Sequence, residues 1–345
     1  MKKNRKNTPP ALMALFAAAV LSACAGTPPP QWAESLEAAF PNDRYIAVRG
    51  ASGSRETVKE AALRELSLYF RTQVSSRTEL AESYREQDGA ASQSLQLEQQ
   101  TLIQTETELF AVRYTDPWRN PAAGTWEAAA YIDRAEAWTI FEPRLSSRAM
   151  PFMALFRAAE GDGEPLRRFF RYKAASASAA ALPAYLDFAR ILHPLRAAAF
   201  APARAATAAL PQRINQAKFD ASVFIDCPVD LDGGVAAALT SALSAEGLPV
   251  TKDRAAASAV CQALVDEGME KREAGAFYTP ALTIVITGRT GAALFSLTLT
   301  APRQSAVNPN IARRRAYTAL AGDIQNKFHS EFEKQITAQQ TGGNL

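Results

Sequence analysis

The first residue with a chemical role to consider is Cys24, the last residue of the tetrapeptide Leu21-Ser22-Ala23-Cys24. Residues 2–6 upstream carry four basic side chains, and an apolar run of thirteen residues covers 11–23. A charged start followed by a short apolar run and small residues is typical of a secretory signal peptide. A finished membrane span needs about 20 apolar residues, so the run predicts a segment, 1–23, that is removed from the mature chain.

The residues before Cys24 resemble a bacterial lipobox, in which the chain is cut before the cysteine and the thiol carries a diacylglyceryl group. The alternative is a fortuitous cysteine in an ordinary signal peptide. Each buried CH₂ contributes about 0.8 kcal/mol, so several acyl chains of the palmitate kind would hold the protein stably at a membrane. Ala25 stands where lipoproteins retained in the inner membrane often carry Asp. The resemblance therefore implies an outer-membrane anchor facing the periplasm, with the cell surface as the alternative.

Two further cysteines, Cys227 and Cys261, would lie in an oxidising compartment if the chain is exported. An even pair of cysteines in such a compartment predicts a disulfide. The alternative is two buried thiols that stay free.

Charge is distributed unevenly along the chain. Removing 1–23 takes away four basic residues and no acidic one, which leaves 34 basic and 35 acidic side chains. This balance gives no argument for nucleic-acid binding. The segment 144–219, however, holds twelve basic and four acidic residues. It predicts a basic face for anionic lipid headgroups, an anionic wall polymer or an acidic partner; the alternative is solvated helices whose charge the flanking domains neutralise. The candidate face consists of Arg157, Arg167, Arg168, Arg171 and Lys173.

Other chemistry finds little support in the sequence. His193 and His329 each lack a second His or a Cys at ligand spacing, so we expect no metal. The acidic residues between 226 and 232 lack the closing Glu of a calcium loop. No cofactor and no catalytic residue is therefore predicted. Paired carboxylates of a wall-cleaving enzyme meet only in the fold, which keeps an envelope hydrolase as a minor alternative.

The elements that would position these residues begin with an α+β domain at 44–145. A strand at 45–48 ends at a glycine-rich break, and apolar residues at helical spacing predict an amphipathic helix at 56–71. A polar alternating stretch follows at 74–80, and aromatic residues mark strands at 108–115 and 125–132.

The order of these segments carries a resemblance. A strand before Gly50, the Ala61-Ala62-Leu63 helix, a polar Val-Ser-Ser strand and a hairpin ending in Tyr131-Ile132-Asp133-Arg134 resemble the twenty-kilodalton outer-membrane lipoprotein family, the Lpp-twenty type. They are also similar to the N-terminal module of a periplasmic protein that helps assemble the outer-membrane ring of the flagellar motor. The resemblance covers about 100 residues. Its motifs are packing positions, so it implies a fold and carries over no catalytic residue.

The last domain, 217–340, alternates strands and helices. A strand at 221–225 precedes a helix at 233–246, which is followed by short strands and by a hairpin around Gly288 and Gly291. Apolar residues then recur every four positions from Ala312 to Ile336, which predicts a long helix whose apolar stripe winds around its axis. This order resembles the periplasmic α/β module of curli-secretion, Tol-system and wall-synthase-activating lipoproteins.

Together these patterns predict an α+β protein with two small α/β sandwich-like modules joined by a helical hairpin connector. The predicted parts are a signal peptide (1–23), a lipidated tether (24–43), an Lpp-twenty-like domain (44–145), a basic helical connector (146–216) and a C-terminal α/β domain (217–340). The favoured function is a non-enzymatic envelope lipoprotein that acts as a scaffold for a flagellar, secretion or cell-wall assembly. Its partners would be the membrane and an envelope protein or peptidoglycan, and the alternative is a peptidoglycan- or lipid-binding lipoprotein.

Overall fold

The computed structural model of the chain describes residues 28–82, 111–273 and 275–341. These residues mix helices with several small sheets, which confirms the predicted α+β class. The chain divides into two compact units, Met1–Leu145 with Ala184–Ala199 and Ser146–Pro183 with Phe200–Leu345. The residues predicted as a connector, 146–216, are thus shared between both units. Cys24 and the polar segment 83–110 lie outside the described residues.

The first unit is built on one antiparallel sheet. Its strands are β1 (Tyr45–Ser52), β2 (Arg113–Tyr114), β3 (Trp118–Arg119) and β4 (Trp126–Asp133). Strand β4 pairs with all three others, and its register with β1 runs from Tyr45 opposite Asp133 to Ser52 opposite Trp126. The helices of this unit are α1 (Gln31–Glu34), α2 (Leu36–Ala39) and α3 (Val58–Glu82), together with the parts of later helices that lie before Leu145 and after Ala184.

Helix α3 packs directly on the sheet because β1 carries a glycine where the two meet. A Cβ atom built on Gly50 would lie 2.2 Å from the backbone nitrogen of Ala62 and 2.4 Å from its Cα. The helix buries Val58, Ala62 and Leu66 completely on this side. Only glycine allows two backbones to approach this closely.

Three local expectations for this unit need correction. Gly50 lies inside β1 and does not end it, since the strand continues to Ser52. The stretch 74–80 continues α3 to Glu82 and does not form a polar strand. Residues 31–39 of the predicted tether form α1 and α2, and Trp32 is buried.

Four helices lie in the middle of the chain. They are α4 (Arg134–Glu160), α5 (Pro165–Ser178), α6 (Leu182–Leu192) and α7 (Pro194–Ala197), with a 3₁₀ turn at Ala198–Phe200. The glycines of 161–164 end α4, and Pro165 occupies the first turn of α5, where a missing N–H costs nothing. In the first unit, Phe188 of α6 packs its ring 5.0 Å from both Phe70 and Phe141.

The second unit contains two sheets. The elements outside the middle helices are α8 (Ala201–Asp220), β5 (Val223–Asp226), α9 (Gly234–Ala245), β6 (Val250–Thr251), β7 (Ala259–Asp266), β8 (Met269–Arg272), β9 (Gly275–Tyr278), β10 (Ala281–Gly288), β11 (Ala293–Thr300), β12 (Gln304–Ala306) and α10 (Pro309–Thr341). The larger sheet has the order β11-β10-β7-β5-β6, with β5 parallel to both its neighbours. The smaller antiparallel sheet has the order β12-β9-β8, and neither the polar strand β8 nor the short apolar strand β9 was predicted.

Helix α10 forms the core of this unit in the predicted way. Each residue of the apolar row is buried: Ala312, Ala316, Leu320, Ile324, Phe328, Phe332 and Ile336. Its first turns pack on Ala276 and Tyr278 of the smaller sheet. Further along, the Phe332 ring lies 5.1 Å from Phe295 and 5.2 Å from Phe170. Because the apolar stripe winds around the axis, the start of α10 packs on the smaller sheet and its later turns pack on the larger sheet.

Candidate functional site

The residue with the strongest predicted role, Cys24, lies outside the described residues, but the folded chain begins close behind it. Helix α1 starts at Gln31 and is held on β1, where Nη2 of Arg49 donates hydrogen bonds to the carbonyls of Trp32 (2.9 Å) and Ala33 (2.8 Å). No helix of the described ranges is both long and apolar enough to cross a membrane.

The predicted basic face is largely engaged in ion pairs. Asp162 lies at the start of the α4–α5 turn with a fully buried carboxylate, and Arg167 contacts both of its oxygens at 2.6 and 2.8 Å. Arg171 contacts the same carboxylate at 2.7 Å. Burial opposes ionisation of Asp162, but the hydrogen bonds from Arg167 and from the Glu164 N–H outweigh it and lower the pKa of Asp162. This carboxylate holds two arginines against the helix.

The remaining basic candidates differ in their surroundings. Arg168 pairs with Asp220 of α8 at 2.7 Å, and Lys173 lies 4.0 Å from the buried carboxylate of Glu246. Arg157 is exposed and contacts no carboxylate within the described part of the chain. The structure therefore brings Arg167 and Arg171 together at Asp162, whereas Arg157 and Lys173 stay exposed to solvent. A binding role for the five residues stays a prediction.

The two cysteines are close in the larger sheet and both are free thiols in the described structure. Cys261 of β7 stands opposite Ile225, and Cys227 follows two residues later, just past the end of β5. Burial, with Asp230 and Asp226 nearby, raises the pKa of Cys227 to about 11. Burial and the neighbouring Cys227 raise the pKa of Cys261 to about 12. Both thiols are therefore protonated at neutral pH and poorly nucleophilic; their pairing stays a prediction.

Neither histidine joins a metal-like cluster. Among the described residues no group of three or more His, Cys, Asp or Glu side chains could hold a metal ion. Burial and the nearby Arg196 and Arg134 lower the pKa of His193. Nδ1 of His329 forms a hydrogen bond with the Glu246 carboxylate, and this contact raises the pKa of His329. His329 thus acts as a pH-dependent structural partner of a buried acid.

A surface cavity of about 590 Å³ lies between the start of α10 and β12. Arg314 and Arg315 line it from the helix and Gln304 lines it from the strand. The basic run 313–315 is visible in the sequence as three consecutive arginines. The sequence does not show that β12 folds back beside α10 and places Gln304 on the opposite side of the cavity from the two arginines.

Comparisons with known proteins add little. No family model matches this chain, and no curated protein matches it. A minor lipoprotein of Acinetobacter baumannii is 14% identical over 35% of this chain and 95% of its own, with a TM-score of 0.24. A secreted protein of the pathogen Helicobacter pylori is 16% identical over 87% of this chain and 99% of its own, with a TM-score of 0.32. Because both scores lie below 0.5, neither likeness carries an argument about this chain.

Proposed function

We propose that the mature chain is a non-enzymatic lipoprotein of the cell envelope, anchored through a lipid on Cys24, whose two units bind another envelope component. The observation that carries the proposal is the order of a basic start, a short apolar run and Leu21-Ser22-Ala23-Cys24 in front of a folded body. The finer assignment is an outer-membrane anchor with the folded units facing the periplasm.

The mechanism under this proposal is positioning. Seven residue steps separate Cys24 from the start of α1 at Gln31. A fully extended chain spans at most about 3.5 Å per residue, so the first unit would begin within about 25 Å of the acylated thiol. Arg49 fastens α1 to β1, so this distance cannot grow by unravelling of the helix without loss of two hydrogen bonds. Confinement near a plane raises the effective concentration of the units for a membrane-bound partner.

The two acidic residues of the α4–α5 turn do not form an accessible pair of catalytic carboxylates. Asp162 and Glu164 are two residues apart in the chain, but they are only 5% and 3% exposed. Asp162 is also occupied by two arginines. A wall polymer would therefore not reach this pair in the folded conformation.

The proposal is tested by crosslinking in intact cells followed by purification of the chain. The control is Cys24→Ala, which lacks the thiol that carries the lipid. We expect a defined envelope protein or wall fragment to be captured with the native chain and lost with the control. Capture of the same partner by both forms would show that anchoring plays no part in recognition, and turnover of wall fragments by the purified chain would contradict the non-enzymatic assignment.

A further inference from the structure

The cavity at the start of α10 has the composition of a specific binding site. Its volume of about 590 Å³ lies within the range of small-ligand pockets, about 300–1,000 Å³. Arg314 and Arg315 supply positive charge, and Gln304, Asn310 and Thr318 supply neutral hydrogen-bonding groups. Ile311, which is 49% exposed, adds an apolar surface.

Helix geometry explains why these side chains converge. Residues four apart lie on the same face of a helix. Asn310, Arg314 and Thr318 form one such row, and Ile311 and Arg315 belong to the adjacent row. The buried row that starts at Ala312 lies on the opposite side of the helix. Its burial therefore orients the two rows that line the cavity toward Gln304 and solvent.

Of the three consecutive arginines, Arg313 is held in an ion pair, whereas Arg314 and Arg315 can contact a ligand. Arg313 is held by Glu267, whose carboxylate it contacts at 2.6 Å. Among the described residues, the Arg315 side chain makes one long hydrogen bond, of 3.5 Å, to the carbonyl of Ser305. Arg314 faces the carboxylate of Asp232 at 3.4 Å, in a pair with side chains 74% and 65% exposed. Hydrogen bonds between ions usually measure about 2.7–2.9 Å, so the Asp232 contact is a loose one that a ligand carboxylate can replace.

We propose that this cavity binds a short peptide with free carboxylates. Arg314 and Arg315 would hold the carboxylates, since a guanidinium matches a carboxylate with two parallel N–H groups. Gln304 and Asn310 each offer a donor and an acceptor, the pair of groups that a peptide amide requires. Ile311 would contact an aliphatic side chain of the same peptide.

The neutral lining favours a peptide over a lipid phosphate. A phosphate group is bound by arginine donors alone and makes no use of the amide carbonyls of Gln304 and Asn310, which would stay hydrated. A peptide supplies N–H groups to those carbonyls. The peptide-binding proposal rests on the cavity residues and not on the anchor at Cys24. The peptide proposal and the proposed function can therefore fail independently of each other.

The test is calorimetric titration of the full chain in detergent with four probes. These are N-acetyl-alanyl-glutamate, its counterpart N-acetyl-alanyl-glutaminamide without carboxylates, inorganic phosphate, and glycerol 3-phosphate as the headgroup part of a lipid. We expect saturable binding of the acidic dipeptide. A hydrogen bond to a charged group contributes about 1.5 kcal/mol or more, so the amide should bind at least about tenfold more weakly.

Variants assign the binding to the cavity. Arg314→Gln with Arg315→Gln should weaken the acidic dipeptide at least about tenfold. Arg289→Gln removes one positive charge, half the change of the double variant, from a hairpin of the same unit, where the side chain is exposed and pairs with no described residue, and should leave the affinity unchanged. Asp232→Asn removes the competing carboxylate and should tighten binding, a gain that damage to the fold would not produce.

The proposal is overturned if the double variant binds the dipeptide as the native chain does, or if the amide binds equally well. It is also overturned if phosphate or glycerol 3-phosphate binds as tightly as the dipeptide, which would identify a phosphate site, or if none of the probes binds.

Discussion

The close approach of α3 to β1 makes Gly50→Ala the sharpest test of the first unit. The added Cβ would lie 2.2 Å from the Ala62 nitrogen and 2.7 Å from the carbonyl carbon of Ala61. These are backbone atoms, so no side-chain rotation relieves the overlap. Restoring an ordinary contact of about 3.4 Å requires the helix to move about 1 Å away from the sheet, and such a gap forfeits a quarter to a half of the local dispersion energy.

The expected cost follows from what α3 buries at this contact. Val58, Ala62, Leu66 and Phe70 are at most 1% exposed, so the displaced helix loses packing along about three turns. Overpacking of a core costs about 1–3 kcal/mol, and we place Gly50→Ala at about 3 kcal/mol because the obstacle is backbone. With a urea m-value of about 2 kcal/mol/M, the unfolding midpoint should fall by about 1.5 M.

Tryptophan fluorescence reports this unit selectively, because the four tryptophans of the chain all lie before residue 145: Trp32, Trp118, Trp126 and Trp138. Gly53→Ala is the matched control, since none of the described residues lies within 4 Å of a Cβ atom at that position. Its free energy of unfolding should stay within about 0.5 kcal/mol of the native value. Equal midpoints for Gly50→Ala and Gly53→Ala would refute the packing of α3 on β1.

Three further predictions concern the charged and thiol groups of the second unit. The raised pKa of His329 means that its ion pair stabilises the fold fully below pH about 6.5 and is lost as pH rises through the raised pKa. His329→Gln should therefore lower the urea midpoint, followed by circular dichroism, at pH 5.5 and leave it unchanged at pH 9; an equal loss at both values would contradict the charge assignment. Asp162→Asn breaks a buried pair and should cost about 3 kcal/mol, whereas Arg157→Gln should cost less than about 0.5 kcal/mol. Because the pKa values of Cys227 and Cys261 lie at about 11 and 12, the reduced folded chain should react with iodoacetamide at pH 7.5 far more slowly than the urea-unfolded chain, as measured by mass spectrometry.

The sequence predicts best where one strong periodicity governs an element. The row from Ala312 to Ile336 is apolar at every fourth position, and the structure buries each member of it. Strand β4 and the hairpin of β10 and β11 were likewise predicted from aromatic and glycine positions. In these elements local propensity and tertiary packing favour the same structure.

Prediction fails where a distant contact overrides the local pattern. Gly50 by itself predicts the end of a strand. In the fold, however, it lies inside β1 and allows the backbone of α3 to pack closely against that strand. Strand β8 is too polar to be predicted, since it is exposed along its length and is defined only by pairing with β9, an apolar strand of just four residues.

The charged residues show the same limit. The partners of Arg168 and Lys173 are Asp220 and Glu246, 52 and 73 residues away, so charge counting alone could not separate a free basic face from a neutralised one. The helical repeat places Arg313 on a different face of α10 from Arg314 and Arg315. That the last two line a cavity becomes visible only in the fold, where β12 lies beside the start of α10.

The central claim is that Cys24 carries the membrane anchor, and the mass of the mature N-terminal peptide tests it most directly. The chain is purified from its native membrane and digested, and the peptide that contains Cys24 is analysed by mass spectrometry. The account predicts a chain that starts at Cys24 with a mass increased by a diacylglyceryl group. A chain that starts at another residue, or a Cys24 with an unmodified thiol, would contradict it.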